Sequence, residues 1–213
     1  MELSRLNQAM RAIASAMENP VIILLLLLLV VTIFLIGWLI SEIFTEHRHL
    51  KEKLPHLVDV LNETKPSEET KEAVRKSRLL KRQRNALLEL LSHPDITPLM
   101  RESLAARIVE EEQNVYSRRI RISDIIAKIG PILGLLGTLI PLGPGIIALG
   151  QGDTITLSSS LLTAFDTTIL GLLSAGTAMV ISTIRKSWYN NYMSVLETLA
   201  ECILEVEKRN VKA

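Results

Sequence analysis

Charge is all but missing from three long stretches of this chain. No lysine, arginine or histidine stands between Pro20 and Phe44, where Glu42 is the sole acid. Between Ile129 and Gly150 there is no charged residue, and between Thr154 and Ile184 the only one is Asp166. A water-soluble domain mixes charge into every surface element, so segregation of this kind excludes a soluble globular chain. Cysteine occurs once, at Cys202, which excludes an intrachain disulfide and any cysteine-based zinc site. No Gly-Lys-Ser/Thr phosphate loop, nucleophile elbow or zincin pattern is present. The chain is therefore read as a non-enzyme, without cofactor or bound metal, and nucleotide-driven transport would need another subunit.

Each charge-free stretch is long enough for a helix to cross the hydrocarbon core, which takes roughly 20 apolar residues. Lipid offers backbone groups no partner outside their own helix or a closed barrel. The run Ile23 to Val31 does not alternate as a barrel strand would. The expectation is an all-α membrane protein with three transmembrane helices. Its segments are an amphipathic outer N-terminal helix at 1–19, span one at 20–44 and a helical cytoplasmic loop at 45–125. Span two follows at 126–150, an outer hairpin at 151–157, span three at 158–184 and a cytoplasmic helical tail at 185–213. Span one carries no small-residue cleavage pattern after it and is expected to be retained.

Leu3, Leu6, Met10, Ile13 and Met17 recur at helical spacing, which suits a helix lying at the membrane interface. Pro20 is then placed in the first turn of span one. The region from Thr45 to Asp124 holds 16 Lys and Arg against 14 Asp and Glu, the tail opens with Arg185-Lys186, and the hairpin near Gln151 to Thr156 has no basic residue. The positive-inside rule makes the large loop and tail cytoplasmic, and the N-terminus and hairpin external. Within the loop, Pro66-Ser67-Glu68-Glu69 predicts a helix start with the helix running to about Ser92, where His93-Pro94-Asp95 stops it. A second helix is predicted from Thr97-Pro98, with Met100, Leu104, Ile108 and Val115 as its apolar stripe, continuing unbroken into span two. In the tail, Tyr192, Val195, Leu196, Leu199, Ile203 and Val206 fall on one face.

Three charged features read as ordinary surface. The basic run from Lys76 to Arg84 is nearly cancelled by nearby acids and lacks interleaved aromatics, so it predicts a solvated helix face and no nucleic-acid partner. His47, His49 and His56 lack further ligands at metal spacing, and Glu110-Glu111-Glu112 fits a solvated face.

Spans two and three are unusual. Gly130, Gly134 and Gly137 share one helical face at the spacing that lets a neighbouring helix approach closely. Pro141 and Pro144 are expected to kink or loosen the outer end. Span three carries Thr163, Thr167, Thr168, Ser174, Thr177, Ser182 and Thr183 together with Asp166. A carboxylate this far into a span faces a polar interior or a water-filled path as a rule. Thr163 and Thr167 are expected to share its face.

Gly134-Leu135-Leu136-Gly137-Thr138 and the stretch from Ala164 through Thr167-Thr168 to Gly171-Leu172 resemble the motifs of the MotA/TolQ/ExbB family. The three-span layout is nearer to TolQ and ExbB than to the four-span MotA. The resemblance implies a five-fold ring with spans two and three around a central pore. It implies two copies of a single-span partner, similar to ExbD, TolR or MotB, whose membrane aspartate carries an ion past ring threonines. Thr138 and Thr168 match those threonines, and Gly171 falls in the small-residue stretch after them. The implied function is the ion-conducting ring subunit of a motor in the cytoplasmic membrane, driven by protons or by sodium. The Thr167-Thr168 pair resembles the sodium type, whereas Asp166 matches no family acid. A structural scaffold, or a sensor with the loop as its output, is the alternative without ion flux.

Overall fold

The computed structural model describes residues 2–44, 68–77, 79–93 and 96–212. The described residues form helices, with no strand among them. They are α1 (Glu2–Ala16), α2 (Glu18–Glu42), α3 (Glu68–Lys76), α4 (Lys81–Leu91), α5 (Pro98–Gly150) and α6 (Thr154–Lys212). Three helices are long and apolar enough to cross a membrane, over Gln8–Glu42, Pro98–Gly150 and Thr154–Val206. At 53 and 59 residues, α5 and α6 measure about 80 and 90 Å at 1.5 Å per residue. A bilayer core is about 30 Å thick, so much of each helix lies beyond it. The histidines at 47, 49 and 56 and the helix start at Pro66-Ser67 lie outside the described residues. Among the described residues no group of His, Cys, Asp and Glu could hold a metal ion.

Helical hydrogen bonding carries almost through the junction of α1 and α2. The amide of Met17 donates to Ile13 and that of Val21 to Met17, so the break is a single turn at Met17 and Pro20 lies inside the first turn of α2. Pro131, Pro141 and Pro144 all lie within α5, which remains helical to Gly150. The expected loosening at the outer end is thus not a break. The prolines nonetheless leave the carbonyls of Ala127, Gly137 and Ile140 without their amide donors four residues on.

The chain divides into two compact units, one of residues 1–38 with 121–183, the other of 39–120 with 184–213. In the first, α2 buries Val21, Leu25, Leu28, Thr32 and Leu35. These alternate in steps of four and three, so one stripe packs while the other faces of the helix remain open to lipid. The turn between α5 and α6 pivots on Gly152, whose φ of 75° lies in the left-handed region. Asp153 then caps α6. Its carboxylate accepts from the amides of Ile155 (3.2 Å) and Thr156 (3.0 Å), and from the Thr156 hydroxyl.

The second unit has a core of leucines and tyrosines. Tyr116 of α5 and Tyr189 and Tyr192 of α6 cluster with ring centroids 4.5 to 6.2 Å apart. Val74, Leu79, Leu80, Leu87 and Leu90 close over them with Leu196, Leu199 and Ile203. The predicted single helix from Ser67 to Ser92 is two helices, α3 and α4. The Ser77 hydroxyl donates to the Val74 carbonyl (2.6 Å) at the end of α3. Leu79 and Leu80 turn into the core, and the Gln83 side chain accepts from the Leu80 amide (3.2 Å) to open α4. The same Gln83 donates to the Tyr192 carbonyl at 2.8 Å. On α5 the predicted stripe holds at Ile108, which is buried, and in part at Leu104 and Val115, which are half-buried, whereas Met100 is exposed; Ala105 and Tyr116 complete the buried face.

Candidate functional site: the seam between two spans and an acid beside it

α5 and α6 meet along a line of small residues within the first unit. A side-chain carbon added at Gly130 would lie 2.9 Å from the Ala175 Cβ and from the Gly171 carbonyl oxygen. At Gly134 it would meet the Gly171 Cα at 3.4 Å and the Thr168 Cα at 3.6 Å. At Gly137 it would run into the Thr167 side chain at 2.7 to 3.1 Å. From the other side, a carbon on Gly171 would come within 2.7 Å of the Gly130 oxygen and 2.8 Å of the Gly134 Cα. The backbones touch here because neither helix carries a side chain to hold them apart. At the base of the seam the Ser182 hydroxyl donates to the Asp124 carboxylate, joining the two helices a second time.

The threonines have distinct positions. Thr167 is buried in the seam against Gly137, whereas Thr168, Thr138 and Thr163 are half-buried. Thr138 stands one turn beyond Gly134, whose missing side chain would meet the Thr168 backbone, so these two threonines flank the same stretch. Every one of these hydroxyls donates to its own helix. Thr138 donates to Leu135 (2.7 Å), Thr163 to Ser159 (3.0 Å), Thr167 to Thr163 (2.9 Å) and Ala164 (3.0 Å), and Thr168 to Ala164 (3.0 Å). With the proton committed, what each oxygen offers outward is its lone pairs. The half-buried threonines can therefore accept from a hydrated proton or coordinate a small cation.

Asp166 is exposed, between Phe165 (65% exposed) and the buried Thr167. It does not share the face of Thr167, as the helical spacing suggested. One residue of α-helix is a 100° step, and the demand of Gly137 and Gly171 for the small Thr167 side turns Asp166 outward, beside Leu162 and Ile169. It makes no hydrogen bond or ion pair with a described residue. The one basic residue within the spans is Lys128, at the start of span two beside Gly130.

A second polar centre, in the other unit, was not singled out from the sequence. Glu42, at the end of α2, is buried and accepts from Arg185 Nε at 3.0 Å and from the Tyr189 hydroxyl. Arg119 approaches it at 3.8 Å and lies over the Tyr116 ring, 5.9 Å from its centroid. Burial, and then the Glu42 carboxylate, push the Tyr189 phenol well above its ordinary value. The signal was present in the sequence as the lone acid of span one and the first basic residue after span three. A solitary pair of opposite charges at the ends of two spans is a candidate contact.

The basic run is not one solvated face. It is interrupted at the α3–α4 turn by buried Leu79 and Leu80, and Arg82 makes a two-bond pair with Glu112 at 2.8 and 3.1 Å. Glu111 pairs with Arg107 at 2.9 Å.

Comparison with known proteins places these features in a family. The model of the MotA/TolQ/ExbB proton channel family matches residues 71–198, which include both helices of the seam. The curated biopolymer transport protein exbB1 of Vibrio cholerae serotype O1 is 30% identical over 116 residues, covering 51% of this chain and 49% of that protein. The chain thus spans about half the length of this curated relative.

Proposed function

Because the chain belongs to the MotA/TolQ/ExbB proton channel family, we propose that it is the ion-conducting ring subunit of a membrane motor. Ion flow through its ring moves a single-span partner of the ExbD, TolR or MotB kind. In this reading five copies surround two copies of the partner in a cytoplasmic membrane. The N-terminus and the Asp153 hairpin face outward, and the extensions of α5 and α6 project into the cytoplasm. Thr138, Thr168 and Thr163 offer acceptor oxygens along the path, with Thr167 and the glycines at 130, 134, 137 and 171 holding the two helices together. Weak acceptors in series suit conduction, which requires an ion to be released as readily as it is bound.

The observation that carries the reading is Asp166. A carboxylate on the outer surface of a span costs several kcal/mol in hydrocarbon, and no described residue pairs with Asp166. It is accommodated if the face of α6 that bears it borders a hydrated path, where it can hold a proton or a sodium ion. A scaffold without flux is the second reading, favoured by the fact that each threonine proton is already satisfied by its own helix.

The test is ion flux into vesicles containing the complex purified with its native partner, followed separately with proton- and sodium-sensitive dyes. Asp166→Asn and Thr168→Ala are expected to lower flux about tenfold or more, a change of roughly 1.4 kcal/mol in barrier, with the copy number by native mass spectrometry unchanged. Undiminished flux in both variants overturns the reading in favour of the scaffold.

A further inference from the structure

A groove of about 660 Å³ lies in the first unit between the end of α1 with the start of α2 and the last turns of α5. That is the size of a small-molecule site. Its walls are mostly leucine, isoleucine, alanine and proline. Gly143 opens into it, since a side-chain carbon there would meet nothing within 4 Å, whereas Gly145 abuts Ser160 at 3.0 Å. The groove therefore lies on a side of α5 that α6 does not occupy.

The polar side chains of this groove present acceptors. Ile140 and Pro144 both line it, and Pro144 has no amide to give the Ile140 carbonyl, which lies inside a helix and beside apolar side chains. Ser15 also lines it and donates its hydroxyl proton to the Ala12 carbonyl at 3.1 Å, leaving only lone pairs. Glu18, at the rim, adds a half-buried carboxylate. Among the lining residues no side chain offers a free hydrogen-bond donor. A groove with apolar walls, a carbonyl that lacks its usual amide donor and a carboxylate is complementary to a hydrocarbon chain ending in a cationic donor. α2 and α5 are membrane helices, so the ligand of that description within reach is a bilayer lipid. We propose that this groove binds one amine-headed phospholipid, of the phosphatidylethanolamine class, from the leaflet on the Asp153 side. One of its two acyl chains lies along Leu136, Ile140 and Gly143, and its ammonium meets Glu18. This holds whether or not the assembled complex conducts ions.

The test is lipid retention by the full complex. The complex is reconstituted in phosphatidylcholine vesicles containing a minor share of either phosphatidylethanolamine or phosphatidylglycerol. It is then extracted in mild detergent and weighed by native mass spectrometry. Wild type is expected to keep one phosphatidylethanolamine per chain and to hold it about tenfold better than the other two lipids. Gly143→Leu fills the groove and favours the helix, and is expected to lose the lipid with thermal stability maintained. Glu18→Gln is expected to keep a lipid but to lose the preference for the amine. Equal retention of the three headgroups by wild type, or retention undiminished in Gly143→Leu, overturns the proposal. So does a change of copy number in Gly143→Leu, which would identify the occupant as a second copy of the chain.

Discussion

Adding one methyl group at Gly171 tests how much of this protein rests on the contact between α5 and α6. In Gly171→Ala the new carbon would lie 2.7 Å from the Gly130 oxygen, 2.8 Å from the Gly134 Cα and 3.1 Å from the Gly134 nitrogen. Carbon atoms pack best at about 3.5–4.0 Å, so the shortfall against Gly134 is about 0.7 Å or more. All three neighbours are backbone and none can rotate aside, so the helices themselves must part. A gap of about 0.5–1 Å forfeits a quarter to a half of each contact along the seam. The surrounding lipid is as apolar as the side chains, so no hydrophobic term compensates. Overpacking of this kind costs about 1–3 kcal/mol, and with three clashing backbone atoms the upper end applies. Exchanging glycine for alanine inside a helix returns about 1 kcal/mol, leaving a net loss of about 2 kcal/mol. Gly143→Ala is the control. Its added carbon meets nothing within 4 Å, so only the gain of about 1 kcal/mol operates. The two variants should therefore differ by about 3 kcal/mol, or over a hundredfold in the unfolding equilibrium. Steric-trap unfolding in bicelles measures this directly. Equal stabilities within about 0.5 kcal/mol, or the opposite order, would refute the close contact at Gly171.

Two further predictions concern the ends of the spans. Arg185→Ala leaves the Glu42 carboxylate buried with its nearest cationic partner gone, and should cost about 3–5 kcal/mol in the same unfolding assay. The double exchange Glu42→Met with Arg185→Met should lose much less, since a buried pair replaced by apolar groups is often neutral. A double variant as unstable as Arg185→Ala would show that the charges themselves hold the helices. At the hairpin, the Asp153 carboxyl is held below its ordinary value, chiefly by the hydrogen bond from the Thr156 hydroxyl and then by the Thr156 amide. Its support of α6 is thus fully present above the ordinary carboxyl range and is lost as the pH falls through the depressed value. Amide exchange at Ile155 and Thr156, corrected for its intrinsic pH dependence, should lose protection only at acid pH in wild type and already at neutral pH in Asp153→Ala. Protection that does not change with pH in wild type would refute the cap.

The three apolar helices were readable from charge distribution, because hydrocarbon excludes charge whatever the helices pack against. Which face of span one packs was not readable from its apolar residues. Leucine fills Leu24 to Leu29 on every side, so the stripe of Val21, Leu25, Leu28, Thr32 and Leu35 has no hydrophobic contrast. The polar residues give it away instead. Thr32 donates to its own Leu28 carbonyl at 2.8 Å and is buried, and Glu42 lies ten residues on, further along the same four-three repeat. The turn between α3 and α4 has no glycine or proline to announce it. It exists because the core needs Leu79 and Leu80, and the hydrogen bond that Gln83 donates to the Tyr192 carbonyl, 109 positions away, fixes it. Met100 misled for the complementary reason. Its spacing fits the stripe of α5, but it lies in the first turn of that helix, where the core does not reach. The small-residue line at Gly130, Gly134 and Gly137 is a local signal, and close approach needs only that spacing and a small partner opposite.

Glu42 and Asp166 separate what the single chain completes from what it leaves open. Both are the lone acid of a span in the sequence. Around Glu42 the protomer assembles Arg185, Tyr189 and Arg119, from two other helices, and burial there strengthens each of those contacts. Around Asp166 no described residue forms an ion pair, and its carboxylate is on the exposed face next to the buried Thr167. The cost of a charge in hydrocarbon is the same physical term in both places, so the difference lies in where the compensation comes from. For Glu42 it is internal, and substitutions there should appear in the stability of the isolated chain. For Asp166 no described residue supplies it, and in the proposed function it comes as a proton, a cation or water on the hydrated path. Asp166→Asn should thus leave the fold of one chain unchanged while altering what the assembled complex passes across the membrane. An Asp166→Asn chain that unfolds more easily than wild type would place the compensation inside the protomer after all.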